Sequence, residues 1–161
     1  MEADTNKKKF VSPSDALKKA YKFCDYQERN QQDVRDKLYD LGLHKKDVEQ
    51  IISQLITEGF LNEERFAIAY AGGKFRIKQW GKVKIKYALK QKKISEYCIN
   101  KALMQISPSD YHKMLKKVMD AYSKKVKEKD QRKRSYKIAQ YAVSKGFESD
   151  LVWDQLKDDA D

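Results

Sequence analysis

From Lys74 to Lys93 the chain reads KFRIKQWGKVKIKYALKQKK, nine Lys or Arg residues with no Asp or Glu among them. Within this run Lys82, Lys86, Lys90 and Lys93 recur at i, i+4, i+8 and i+11, the spacing that lines up on one face of a helix. Ammonium groups so placed repel one another, and an ordinary solvated helix face relieves the repulsion with interspersed acids. A run without acids points instead to an external anion as counter-charge, and phosphate is the obvious candidate. The plainer alternative is a solubilising face. Lys74, Arg76 and Lys78 on the preceding segment, with Lys84 and Lys92 beside the stripe, extend the expected binding patch. Trp80 among them is suited to stacking on a base, or equally to packing between helices.

A second basic block, Lys113 to Lys137, sets eleven Lys or Arg against Asp120, Glu128 and Asp130, and adds Arg132, Lys133 and Arg134 to the expected binding residues. After Phe147 the sign reverses: Glu148, Asp150, Asp154, Asp158, Asp159 and Asp161 face only Lys157. Catalytic chemistry has no comparable foundation. His44 and His112 lie far apart with no cysteine beside either, and neither G-x-S-x-G nor H-E-x-x-H occurs. Gly72-Gly73-Lys74 resembles the end of a phosphate loop, but Ile68 stands where its first glycine belongs and Phe75 where Ser or Thr should follow. It reads as a loosened helix end. Cys24 and Cys98 form no C-x-x-C, so neither a disulfide framework nor a zinc site is expected.

The whole chain carries 35 Lys+Arg against 24 Asp+Glu, a net +11 over 161 residues, with 37% charged and 40% hydrophobic residues. That is too much polar side chain for one rounded core and favours an elongated body. Ten Tyr, six Phe and two Trp argue against disorder. No apolar run approaches a membrane span, and the start MEADTNKKKF has no apolar stretch behind its charge, so a cytoplasmic protein is expected.

The elements that position these side chains read as helices throughout. Only two prolines and six glycines interrupt the i, i+3/i+4, i+7 apolar pattern, and both prolines sit in Ser-Pro-Ser-Asp (12–15 and 107–110), a helix start with Ser as cap. With Gly42-Leu43 as anchor, a shift of 51 brings Lys93-Ile94 into register and a shift of 104 brings Gly146-Phe147. Apolar columns then align: Val34, Ile85 and Ile138; Leu38, Leu89 and Ala142; Val48, Ile99 and Val152; Ile52, Leu103 and Leu156. This predicts an all-α fold of three tandem three-helix repeats stacked as an elongated, curved rod. The expected divisions are a flexible segment 1–11, repeats at 12–60, 61–106 and 107–157, and an acidic tail 158–161. Expected inward residues include Leu17, Ala20, Tyr21 and Cys24 in the first unit and Phe66, Ala69 and Tyr70 in the second. In the third, Leu115, Val118 and Tyr122 face inward on a helix running to about Lys129, and the last helix ends near Leu156. Asp33 to Leu55 also has the outline of a helix-turn-helix, but Asp47 and Glu49 beside Lys45 and Lys46 would face phosphates badly.

The joint Gly59-Phe60-Leu61-Asn62-Glu63-Glu64-Arg65-Phe66-Ala67 resembles the RecX family's G-[YF]-[LI]-[DN]-[DE]-x-[RK]-[FY]-A motif. Trp80-Gly81-Lys82 with Ile85, Leu89 and Lys93-Ile94-Ser95 is similar to its G-x-x-x-I-x-x-x-L-x-x-[GK]-I-[SD] run, and Arg29-Asn30-Gln31 to Lys37-Leu38 to its R-S-x-x-[ED]-[LV]-x-x-K-L opening. Lys92-Lys93 replaces the usual Lys-Gly and gives up the left-handed turn residue. The resemblance runs from about Ser14 to Leu156, with the third unit least distinctive. It implies three three-helix repeats and a non-enzymatic role without cofactors. It further implies a protein, expected here as a monomer, that binds in the groove of the RecA filament on single-stranded DNA and mainly inhibits ATP hydrolysis, strand exchange and co-protease action. The alternative is an autonomous basic nucleic-acid-binding module that makes no contact with RecA.

Overall fold

The computed structural model describes residues 10–160. Among these, nine helices and no strand are present: α1 (Pro13–Tyr26), α2 (Gln31–Asp40), α3 (Lys45–Thr57), α4 (Glu63–Arg76), α5 (Lys82–Gln91), α6 (Glu96–Met104), α7 (Pro108–Ser123), α8 (Gln131–Ser144) and α9 (Ser149–Ala160). The all-helical expectation holds. The chain divides into two compact units, one up to Phe66 and one from Ala67. Residues 1–9 of the expected N-terminal segment, and Asp161 of the expected tail, lie outside the described residues.

Helix starts follow their caps. Ser12, Asn30, Asn62, Ser95, Ser107 and Asp130 each accept a hydrogen bond from the backbone N–H three residues on, which satisfies a donor the helix itself leaves open. Asn30 and Asp33 reciprocate as a capping box, and Pro13 and Pro108 occupy first-turn positions where a missing N–H costs nothing. Helix ends follow an equally regular rule. Gly42, Lys93 and Gly146 take positive φ of 87°, 59° and 103°. In each case the next amide reaches back across the turn: Leu43 to the Leu38 carbonyl (3.3 Å), Ile94 to Leu89 (3.1 Å) and Phe147 to Ala142 (3.2 Å). Those three apolar residues are buried, so one turn with one hydrophobic plug recurs at the register predicted from sequence. Lys93 therefore adopts the left-handed conformation that its side chain disfavours.

In the first unit α1, α2 and α3 enclose Ala16, Ala20, Cys24, Val34, Leu38, Val48, Ile52 and Leu55, with Leu43 and Leu61 sealing the ends. Fully burying each large aliphatic contributes about 1.5–3 kcal/mol. Leu17 and Tyr21 pack against the rim, and the Val11 amide bonds the Leu41 carbonyl, tying the chain to the end of α2. In the second unit Ile85, Leu89, Ile99, Leu115, Val118, Met119, Ala142, Phe147 and Val152 are all buried. Cys24 and Cys98 are buried free thiols.

Four expectations are corrected. Ala69 is exposed, because α4 turns Ala67 and Ala71 inward. Gly72 and Gly73 do not loosen α4, which continues to Arg76. α7 stops at Ser123 rather than near Lys129: the segment after it holds Lys124, Lys125, Lys127 and Lys129 within one turn and a half, a density of like charge that disfavours helix. α9 continues past Leu156 to Ala160, so Asp158 and Asp159 belong to a helix rather than to a separate tail.

Candidate nucleic-acid interface

The N-terminus of α5 is built on the C-terminus of α8. Gly81 donates to the Lys145 carbonyl (2.8 Å) and Val83 to the Gly146 carbonyl (2.9 Å), while the Lys82 amide donates to the Tyr111 hydroxyl (3.0 Å). Tyr111 in turn donates to Glu148 and packs between Phe75 and Phe147. Burial, then the Glu148 hydrogen bond, pushes the Tyr111 phenol far above its ordinary value. Protein groups thus satisfy the first amides of α5, and its cations act through their side chains rather than through a bare helix end.

Around α5 the buried Ile85 and Leu89 mark the inner face. At 3.6 residues per turn, Lys82, Lys86 and Lys90 fall on one flank and Lys84 on the other, with exposed Val83 and Tyr87 between them. Lys90 is exposed, and Lys82 and Lys86 are half-buried. Lys92 and Lys93 follow the helix end, and Lys93 is exposed in the left-handed turn.

Trp80 gathers a second group of cations. The Lys74 Nζ lies 4.9 Å and the Lys84 Nζ 4.7 Å from its ring centre, and Lys74 also lies 5.4 Å from the Tyr70 ring, as Lys92 does at 5.6 Å. Lys82 sits 4.8 Å from the Tyr111 ring. The Trp80 ring therefore holds ammonium groups, each such contact contributing about 0.5–1 kcal/mol near the surface. Arg76 is exposed, with its guanidinium folded back over Gly72, where an added Cβ would meet it at 2.7 Å.

Lys145 joins this group unannounced by the charge runs. Its Nζ donates to the Lys78 carbonyl (2.8 Å), and desolvation, reinforced by the neighbouring Lys84 and Lys78 charges, lowers its pKa. The repeat register held a signal for it, since Lys145 precedes Gly146 as Lys92 precedes Lys93.

The ion pairs among the described residues are Arg35–Glu49, Arg65–Glu28 and Lys137–Glu128. None of the twelve expected binding residues takes part in them. Those twelve do not form one cluster, however. Arg132 and Lys133 are exposed in the first turn of α8, about 20 Å along that helix from Lys145 at its other end. Arg134 is turned inward. Its guanidinium donates to the Val126 carbonyl (2.7 Å) and the Ser123 carbonyl (2.5 Å), which pins the α7–α8 connection and removes it from the exposed cations. Among the described residues no helix is long and apolar enough to cross a membrane.

Residues 62–103 match the family model described as RecX, second three-helix domain, the stretch that carries α5 and its lysines. A regulatory protein RecX of Clostridium tetani is 31% identical over 140 residues, covering 86% of this chain and 62% of that protein. Another, from Limosilactobacillus reuteri, is 27% identical over 153 residues, covering 92% of this chain and 58% of the relative. The chain thus spans about three-fifths of the length of these two relatives. Among solved structures, a regulatory protein RecX superposes with a TM-score of 0.78 at 26% identity over 98% of this chain and 79% of its own, and RecX from Lactobacillus salivarius with 0.76 at 25% over 91% and 95%. Sequence and fold agree in this: over most of its length the chain is similar to the RecX regulatory proteins.

Proposed function

We propose that this chain is a cytoplasmic, non-enzymatic regulator that binds the RecA filament on single-stranded DNA and mainly inhibits its ATP hydrolysis, strand exchange and co-protease action. The observation that carries the reading is the set of lysines on and around α5, none of them in an ion pair among the described residues and three of them crowded about Lys145 and Trp80. Cations held together without internal counter-charge bind a polyanion with release of its condensed ions, a gain that falls steeply with salt. The relatives' designation as regulatory proteins supports the role. In this reading the chain acts as a monomer of three repeats at 12–60, 61–106 and 107–157, and any nucleotide belongs to RecA.

The mechanism is occupancy rather than chemistry. A protein docked along a filament by many weak electrostatic contacts opposes the subunit movements and exchange that turnover requires. The deciding experiment measures DNA-stimulated ATP hydrolysis by RecA with this chain substoichiometric to DNA sites. Inhibition well below one chain per site supports the regulator. Inhibition only once the DNA is saturated rejects it in favour of an autonomous nucleic-acid-binding module.

A further inference from the structure

At the far end of α8 from the lysine cluster, a hollow of about 920 Å³ opens between α8 and α9, lined among others by Gln131, Arg132, Lys133, Tyr136, Gln140 and Trp153. Arg132, Lys133, Tyr136 and Gln140 fall within about 100° of the α8 surface, opposite the buried Ile138, and Trp153 comes in from α9. Two large rings are left in water here, Tyr136 at 56% exposure and Trp153 at 38%. Among the described residues neither ring stacks on another ring or carries a cation, unlike Tyr122 on Tyr141 or Trp80 beneath its lysines. Arg132 and Lys133 have no carboxylate partner among the described residues, Lys137 takes Glu128 at 3.2 Å, and no carboxylate lines the hollow.

We propose that this hollow is a stacking platform for single-stranded nucleic acid, in which Trp153 and Tyr136 receive bases and Arg132 and Lys133 hold the adjoining phosphates. Free aromatic faces beside unpaired cations match a strand whose bases are unstacked. A duplex hides those faces, and an acidic peptide offers charge but no flat rings. Gln131 and Gln140 supply amides able to meet base edges at the rim. The platform rests on the reading that this chain meets single-stranded DNA, and gives it a second contact about 20 Å along α8 from the α5 cluster.

The test is titration of the full chain with a short oligo-dT strand, read by tryptophan fluorescence and by anisotropy of a labelled strand. Trp80, beneath lysines of the α5 cluster, also reports strand binding, so the Trp153 signal is the part of the quench that Trp153→Leu removes. Binding should quench the emission. Trp153→Leu should remove most of the quench and weaken binding about tenfold, and Tyr136→Ala, on an exposed helix position, should weaken it similarly with unchanged circular dichroism. Polyphosphate should bind without quenching. The platform is overturned if the strand binds without quenching, if both variants bind like the parent, if polyglutamate gives the same quench, or if no strand binds. Co-sedimentation of the same variants with preformed RecA filaments separates the two ideas. Retained sedimentation beside any of those results leaves the α5 reading standing, and loss of sedimentation in Lys82→Glu/Lys86→Glu/Lys90→Glu alone counts against only a platform-driven filament contact.

Discussion

Gly81 and Gly146 meet backbone to backbone: a Cβ on Gly81 would lie 2.2 Å from the Gly146 carbonyl carbon. No flexible side chain stands between them, so the α5–α8 junction tolerates nothing larger than hydrogen at either position. Gly81→Ala should therefore cost about 1–3 kcal/mol in urea unfolding. Gly73→Ala, within α4 and facing open space, should instead stabilise by roughly 0.5–1 kcal/mol. Equal midpoints for the two variants would contradict the close approach.

Tyr111 joins α5, α7 and the start of α9 through a single hydroxyl, which accepts from the Lys82 amide and donates to Glu148. Tyr111→Phe should cost about 1–3 kcal/mol near neutral pH, because it leaves both partners short of a bond. The folded phenol keeps its proton above the pH of about 10 at which the unfolded one loses it, so its contribution is complete below pH 10 and declines as pH rises beyond that. The alkaline fall in urea-unfolding stability between pH 10 and 11.5 should accordingly be shallower in the Phe variant. An identical slope in both proteins would remove Tyr111 as its source.

Lys93 is a lysine in a turn that its two counterparts, Gly42 and Gly146, fill with glycine. Lys93→Gly should raise stability by about 1 kcal/mol by removing left-handed strain, and Lys93→Ala, which removes the charge but keeps the Cβ that causes the strain, should gain much less. Thermal unfolding of the pair distinguishes backbone strain from lysine repulsion.

Arg134 should behave as a structural cation and Arg132 as a binding one. Arg134→Gln frees the Ser123 and Val126 carbonyls, costs about 1–2 kcal/mol and should speed trypsin cleavage at Lys124–Lys129. Arg132→Gln should leave cleavage unchanged. The reverse pattern would show that the clamp does not hold the connection.

The turns were legible before the helices were seen, because a left-handed residue followed by an apolar plug leaves a fixed two-residue mark: Gly42-Leu43, Lys93-Ile94 and Gly146-Phe147 align and share their hydrogen bonds. Lys93 looked like the loss of that turn and proved to be the turn held under strain. Helix ends without such a mark were misplaced. Nothing at Ser123 signals a stop except the density of charge after it, and nothing at Leu156 prevents α9 from continuing. Among the cations, periodicity identified the α5 flank but not its company. Arg134 is indistinguishable from Arg132 by type or neighbourhood, and only the carbonyls it reaches separate them. Lys145 lay outside both basic runs, and the fold brings it to Lys78 across 67 residues of sequence.

The central claim, that unpaired lysines on α5 supply the electrostatic part of filament binding, is tested most directly by co-sedimentation of Lys82→Glu/Lys86→Glu/Lys90→Glu with preformed RecA filaments over a salt series. The parent should show a steep log–log salt slope, about −0.7 for each single-strand phosphate neutralised, and the variant should bind about tenfold or more weakly at low salt with a visibly flatter slope. Equal affinity and equal slope in the two proteins, with helical content unchanged, would contradict it.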